Sequence, residues 1–321
     1  MNYLKKLVAT IKKSRKPVIA THFDPDADGI CAALSSAYFV RNYINRRPHL
    51  FCHSNIPSKY SFLLGKWRFM RDLPIFDLLI AVDSAGISRI FPKKHSSTMM
   101  RLTGKTIINI DHHKSNDSFG DLKIVRAEAS SACEIIYDIY KKLKVPVSKN
   151  VAEIFYCGIY SETGGFVYPN TTEESLAIAA ELVAQGVQPG PIAKRLNAKT
   201  YAGTNLLSEV LKTIHVRHSV GSMMLTREML RKSRARMDDS EHFVSFLQAI
   251  DTVRVSVFLR EERSATRVSL RSDGIIDVDK VAAHFGGGGH RLAAGVRLPM
   301  DIVAARDAIL RIIYQKIRKR I

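Results

Sequence analysis

The sequence predicts an α/β protein of two domains, the first built on a doubly wound, mostly parallel sheet and the second a smaller α/β domain across a cleft from it. Three observations predict this. Short apolar runs at PVIATH (17–22), FDLLIAVDS (76–84) and KTIINIDHH (105–113) read as buried strands, and each stops on an acid or a histidine. Helix-like stretches such as 30–44 and 131–144 alternate with them, as parallel strands require. Past a break at Gln185-Gly186-Val187-Gln188-Pro189-Gly190-Pro191, the chain resumes with its own alternating strand and a run of four glycines. The boundary is expected near residue 200, with a first domain over 1–190, a linker over 191–205 and a second domain over 206–321.

Composition sets outer bounds. At 321 residues, 46% apolar and 25% charged, the chain is globular and long enough for two ordinary cores. No apolar run approaches the roughly 18 residues of a membrane span, and the start MNYLKKLVATIKKSRK reads as a basic amphipathic helix rather than a signal peptide. Cys31, Cys52, Cys133 and Cys157 form no C-x-x-C pair, which suggests neither a zinc site nor a disulfide framework and points to a reducing cytoplasm. The net charge of +19 is spread over both halves, with local clusters at 231–236 and in the terminal KIRKRI. Such a balance suits a polyanionic partner without specifying one.

The first strand runs into HFDPDADG (22–29), where Asp24, Asp26 and Asp28 alternate before Gly29. Calcium in an EF-hand is excluded. The twelfth loop position, which needs a bidentate Glu, is Ser35, and a β-type run rather than a helix precedes the loop. The second strand ends on Asp83 and the third on Asp111, His112 and His113. EIFYCGIYSETGG (153–165) reads as a helix broken by Gly164-Gly165 and carries Glu162 near its end. Taken singly, each residue has an ordinary alternative: His22 a surface histidine, Asp83 or Asp111 a helix cap, Glu162 a solvated helix-end charge. Together they repeat one theme. In a doubly wound sheet the C-terminal strand ends share one edge, so His22, Asp26, Asp28, Asp83, His112 and Glu162 should converge. Packed carboxylates repel one another unless cations neutralise them. Six oxygen and imidazole donors without thiolate suit Mn²⁺ or Mg²⁺ better than zinc. If one carboxylate bridges, they suit two ions with a bridging hydroxide as nucleophile.

In this order HFDPDADG, VDSAG, DHH and SETGGF resemble the four motifs of the DHH phosphoesterase family. VSLRSDG (268–274) and FGGGGHRLAAG (285–295) resemble the DHH-associated domain that accompanies it. Within the family the likeness is to the bacterial NrnA-like group of nano-RNases and pAp phosphatases. The resemblance implies that His22, Asp26, Asp28, Asp83, His112 and Glu162 hold two Mn²⁺ ions, with Asp83 as the bridge and Mg²⁺ as a substitute. It also implies that His113 faces the scissile phosphate while Asp111 supports the ligands. Glu162 departs from the pattern, which has Asp there, and Asp24 occupies a position that is not usually a ligand.

In the second half, alternation places Arg267, Ser269 and Arg271 on one face of a strand. The glycine run, with Gly287, Gly288 and Gly289 next to His290, lets backbone N–H groups approach an anion closely. The family likeness makes these residues a substrate clamp. The leading expectation is a metal-dependent phosphodiesterase that trims very short RNA, or linear dinucleotides such as pApA, to mononucleotides. A cyclic di-AMP phosphodiesterase, a 3′-phosphatase acting on pAp and a catalytically dead nucleotide- or RNA-binding module are the alternatives. A pyrophosphatase would not account for the glycine-rich clamp, and a RecJ-type exonuclease is disfavoured for want of an extra domain. The expected partner is a short RNA or dinucleotide, with no membrane and with a homodimer as one possible assembly.

Overall fold

A computed structural model describes residues 2–91, 102–241 and 243–318; Met1 and the last three residues of the terminal basic cluster, Lys319 to Ile321, lie outside these. The chain divides into two compact units, Met1–Ala198 and Lys199–Ile321.

The first unit is built on six strands: β1 (Pro17–Ala20), β2 (His49–Phe51), β3 (Phe69–Met70), β4 (Leu78–Val82), β5 (Thr106–Asp111) and β6 (Leu122–Val125). They lie in the order β3-β2-β1-β4-β5-β6, and every pairing is parallel. All of β1 and all of β4 are buried, which is why their sequences are continuous apolar runs rather than alternating ones. The chain steps outward from β1 in one direction and from β4 in the other. The crevice beyond their C-terminal ends is therefore the switch point at which such sheets bind ligands.

Four helices of this unit shape its core and its crevice: α1 (Asn2–Lys13), α2 (Ala27–Tyr43), α3 (Ala132–Lys142) and α4 (Lys149–Glu162). Leu4, Leu7 and Ile11 of α1 recur at helical spacing and enter the main core. Helix α2 is buried on nearly every side over its first three turns, where Ala, Gly, Ser, Cys and aliphatic residues predominate. It can lie close to α4 because Gly158 has no side chain: a Cβ there would meet Cys133 Sγ at 2.3 Å and Cys31 Cβ at 3.1 Å. All four cysteines are buried and free.

The stretch expected as a linker, 191–205, is largely helical. Helices span Pro189–Asn197 and Tyr201–Leu211, and the two units part between Ala198 and Lys199. Pro189 sits in the first turn, where a missing N–H costs nothing, so it starts a helix instead of interrupting one.

The second unit has a mixed sheet ordered β11-β12-β10-β9-β8-β7. Its strands are β7 (His215–Arg217), β8 (Val220–Leu225), β9 (Val255–Glu261), β10 (Thr266–Ser272), β11 (Gly288–His290) and β12 (Ala293–Leu298). Only the β8–β9 pairing is parallel. Val257, Leu259, Val268 and Leu270 form a core with Ile309 and Ile313 of the last helix, Ile302–Arg318. Met223, Leu225 and Phe258 pack instead with Leu206 and Phe243. Among the described residues, no helix is long and apolar enough to cross a membrane.

Asp77 ties the two central strands together at the edge opposite the switch point. Its carboxylate accepts from Ser14 Oγ, from Arg15 N at 2.7 Å and from Lys16 N at 3.0 Å, just ahead of β1. Although burial opposes it, these donors hold the Asp77 carboxyl below its ordinary range. Asp77→Ala should therefore lower stability by about 1–3 kcal/mol. A depressed carboxylate pKa stabilises above the unfolded value of about 4 and loses that effect as pH falls through the folded value. The gap between wild type and variant in urea unfolding should accordingly be full at neutral pH and close in acid.

Candidate metal centre

The strand ends deliver the expected residues to one place in the first unit. His22 lies two residues past β1 and Asp83 one past β4, while Asp111 ends β5 and is followed by His112 and His113. Asp26 caps α2, accepting from Gly29 N at 3.1 Å, and Asp28 sits in the first turn of that helix. Glu162 is the last residue of α4.

Asp83 is the hub. Its Oδ2 lies 3.6 Å from His22 Nε2, and its Oδ1 lies 3.4 Å from His112 Nε2 and 3.7 Å from His113 Nδ1. On one side, His22 Nε2 is 3.9 Å from Asp26 Oδ1; on the other, His112 Nε2 is 3.9 Å from Asp28 Oδ2 and 4.0 Å from Glu162 Oε1. The extra methylene of Glu162 thus brings its carboxylate to His112. Asp83 adopts a left-handed backbone, φ 52°, which is uncommon for a non-glycine residue and tolerated best by Asn and Asp. The turn aims the two carboxylate oxygens at two different groups.

The surroundings position these side chains. His22 Nδ1 lies 2.9 Å from Phe23 O, so Nδ1 carries the proton and Nε2 turns toward the aspartates. Asp28 takes the N–H groups of Ala132 at 2.7 Å and Cys133 at 3.0 Å, the open N-terminus of α3. Gly29 is needed for space rather than for a turn. A Cβ there would lie 2.5 Å from Thr21 Oγ1, 3.1 Å from Asp83 Oδ2 and 3.2 Å from His22 Nε2. Asp111 is fully buried and makes two contacts: Oδ1 lies 2.8 Å from His113 Nδ1, and Oδ2 accepts from Asn116 Nδ2 at 2.5 Å. Asn116 also donates to Ser84 O at 3.1 Å and accepts from Asn109 Nδ2 at 3.1 Å.

The electrostatics are those of a site short of positive charge. Burial works against a charged His22, yet Asp26 and Asp83 outweigh it and push the imidazole up to about 11. His112 rises to about 10 against its own burial, chiefly through Asp83. Asp83, despite burial, is held far below the usual carboxylate range by His112 and His22. Burial and then Asp83 raise Asp28 to about 7. Glu162 is pushed up by burial and then by Asp26, Asp28 and Asp83. Protons do here what a cation would do better. Asp83 Oδ1 and His112 Nε2 are buried without a hydrogen-bond partner, facing each other. Two groups, His22/Asp26/Asp83 and Asp83/His112/His113, each offer three ligand atoms within 4.8 Å of one another. The donors are oxygen and imidazole nitrogen, a set that fits a hard or borderline divalent ion.

Asp24 stands apart, exposed in a left-handed turn with its N–H on Ser54 Oγ at 2.7 Å. Sequence reasoning missed Gly29, Asn109, Asn116 and Thr21. Asn109 alone left a legible sign, being an amide in the middle of an apolar strand.

In the second unit, Arg267, Ser269 and Arg271 lie on the open face of β10 while Val268 and Leu270 point into the core. Arg271 is in register with Ala293, and Ala293 with His290, so Arg271 and His290 share a face two strands apart. Arg260 joins them, a residue not singled out from sequence. It pairs with Arg267, donates to Ser269 Oγ at 3.1 Å and lies 5.4 Å over the Phe258 ring. Burial and then Arg267 lower it to about 10. Sheet packing by itself requires two of the glycines. A Cβ on Gly287 would meet Gly295 O at 2.4 Å, and one on Gly289 would meet Ala293 O at 2.5 Å, whereas Gly288 is open.

Gly29→Ala tests the convergence around Asp83. The added methyl should displace His22 or Asp83 and weaken Mn²⁺ binding by about 10–100-fold, read by equilibrium titration of the metal, with the far-ultraviolet circular dichroism unchanged. Wild-type affinity in this variant would show that Gly29 does not border a cation site.

Residues 16–159 match the DHH family, N-terminal domain, and residues 221–319 match the DHHA1 domain. The bifunctional oligoribonuclease and PAP phosphatase NrnA of Thermus thermophilus is 30% identical over 321 residues, spanning 98% of this chain and 94% of that protein. An exopolyphosphatase-related protein from Bacteroides fragilis, known from its crystal structure, is 25% identical with a TM-score of 0.90, over 99% of this chain and 96% of that one. RecJ from Thermus thermophilus, crystallised with Mn²⁺, shares the fold at 13% identity and TM-score 0.56, over 96% of this chain and 54% of that one. By these matches across both of its units, the chain belongs to the DHH family of phosphoesterases and carries a DHHA1 domain behind the DHH domain.

Proposed function

We propose that this chain is a metal-dependent phosphodiesterase that hydrolyses very short RNA, or linear dinucleotides of the pApA type, to mononucleotides. The observation that carries the proposal is Asp83, whose two oxygens face two separate histidine–carboxylate groups. His22, Asp26 and Asp83 would hold one cation, and Asp83, Asp28, His112 and Glu162 a second, with Mn²⁺ the expected ion and Mg²⁺ its substitute. Bound there, the pair would supply the Lewis acidity and the activated water for in-line displacement at phosphorus.

The chain's own residues do the remaining work. Asp111 holds His113 through Nδ1, and the ring would present a proton from Nε2 to a phosphoryl oxygen as charge builds on it. Burial opposes charge on His113, but Asp111 and Asp83 raise its pKa, which favours the donor form. Arg267 and Arg271, with Arg260 beside them, make a cationic face suited to a nucleotide phosphate, with His290 on the same face, and guanidinium groups can take the phosphate bidentately. Gly288, whose Cβ would meet nothing closer than Asp279 Oδ1 at 3.7 Å, is the most open of the three glycines. The name of the Thermus thermophilus relative joins oligoribonuclease to PAP phosphatase, which supports 3′-phosphate removal from pAp as a second activity of the same centre. A dead binding module is disfavoured by Glu162, whose carboxylate lies 4.0 Å from His112 Nε2.

The test is a substrate panel with Mn²⁺: labelled dinucleotide, pentamer, 24-mer, pAp and cyclic di-AMP. The dinucleotide should be cleaved fastest and the 24-mer slowest. Asp83→Asn should abolish hydrolysis of every member while the protein stays folded; near-normal turnover with metal bound would refute a shared carboxylate. Arg271→Ala and His290→Ala should raise KM for the dinucleotide by the equivalent of about 1.5–3 kcal/mol, with bis-p-nitrophenyl phosphate turned over as before. An equal fall on both substrates would show that these residues do not act as a clamp.

A further inference from the structure

Glu162 ends α4, so its carbonyl has no partner within the helix. The chain then doubles back through Gly164, Gly165 and Phe166, at φ 59°, 74° and 66°, three left-handed residues in a row. Glycine accepts this freely, whereas Phe166 is strained there. Thr163, the C-cap, pins the turn to the helix, its Oγ1 donating to Ile159 O at 2.7 Å and accepting from Phe166 N at 3.1 Å. The turn returns Asn170 to the helix end. The Asn170 amide nitrogen donates one hydrogen to Glu162 O and the other to Ser130 O, both at 3.1 Å.

Ser130 is itself firmly held. It is fully buried, and its N and Oγ donate to Glu134 Oε2 at 2.9 and 2.7 Å. Two residues on, the N–H groups of Ala132 and Cys133 grip the Asp28 carboxylate. One side-chain amide thus joins the backbone that carries Glu162 to the backbone that holds Asp28, and both carboxylates lie within 4.0 Å of His112 Nε2.

We infer that Asn170 is a positioning residue that sets the gap between the Glu162 and Asp28 carboxylates, and so the affinity of the cation they share with His112. The inference rests on the reading of both as metal ligands. A glutamate has one more rotatable bond than an aspartate, so its carboxylate is placed only if its Cα is. A strained turn that ends on a two-carbonyl clip provides that restraint.

The experiment uses the full-length chain and Mn²⁺ alone, with free Mn²⁺ followed by electron paramagnetic resonance. Asn170→Asp keeps the shape and removes both donors, and Asn170→Ser, with one shorter donor, serves if the Asp variant does not fold. The weaker of two Mn²⁺ sites should loosen by about 10–100-fold, and hydrolysis of the dinucleotide should return when Mn²⁺ is raised by the same factor. A merely structural role would lower the melting temperature and leave the Mn²⁺ isotherm in place. The inference is overturned if the isotherm is unchanged while Glu162→Gln loses a site. If Glu162→Gln also binds Mn²⁺ as wild type does, Glu162 is no ligand and both readings fall.

Discussion

Asp83 is the point on which the arrangement of the first unit depends. A single buried carboxylate serves two histidine-centred groups, one oxygen to each, and it can do so only because its backbone takes a left-handed turn at the end of a central strand. That turn lies beside β1, so the residues just past β1 come within reach without any further loop. Even Gly29 follows from Asp83, because the space a side chain would fill is occupied by Asp83, His22 and Thr21.

The supports divide into two kinds. Backbone donors at the N-termini of α2 and α3 fix Asp26 and Asp28, which costs the helices nothing because those N–H groups lack intrahelical partners. Side-chain amides do the rest: Asn116 steadies Asp111 and through it His113, and Asn170 meets the free carbonyl at the end of α4. Amides suit these places because they donate and accept without adding charge to a site that already holds an excess of carboxylates. Further negative charge would raise the neighbouring carboxyl pKa values, so that protons would compete with a cation for the same oxygens.

Much of this was legible residue by residue. An apolar run that stops on Asp or His declares a buried strand with a polar end, and the three such runs became β1, β4 and β5. The break of EIFYCGIYSETGG at its glycines was also legible, since helix α4 ends at Glu162. Other residues were silent. Asn116 and Asn170 stand in polar turns where an amide is unremarkable, and each has one partner far off in sequence, Ser84 O for Asn116 and Ser130 O for Asn170. Gly29 reads as a turn glycine beside an aspartate but sits in the first turn of a helix, chosen for clearance. Gly287 and Gly289 read as an anion nest, although the close approach of β12 is enough to require them.

By itself the sequence determined the alternation of strands and helices, the acid or histidine after β1, β4 and β5 and the absence of thiolate from that set. These are local properties, set by hydrophobic period and residue type. The tertiary structure decided which atoms meet. The strand order β3-β2-β1-β4-β5-β6 is a property of long-range pairing; it makes β1 and β4 neighbours and brings His22, Asp83 and His112 together, while α4 carries Glu162 to them. The left-handed turn at Asp83 and the carbonyl clip of Asn170 are likewise invisible in composition, because each depends on where a distant backbone has come to rest.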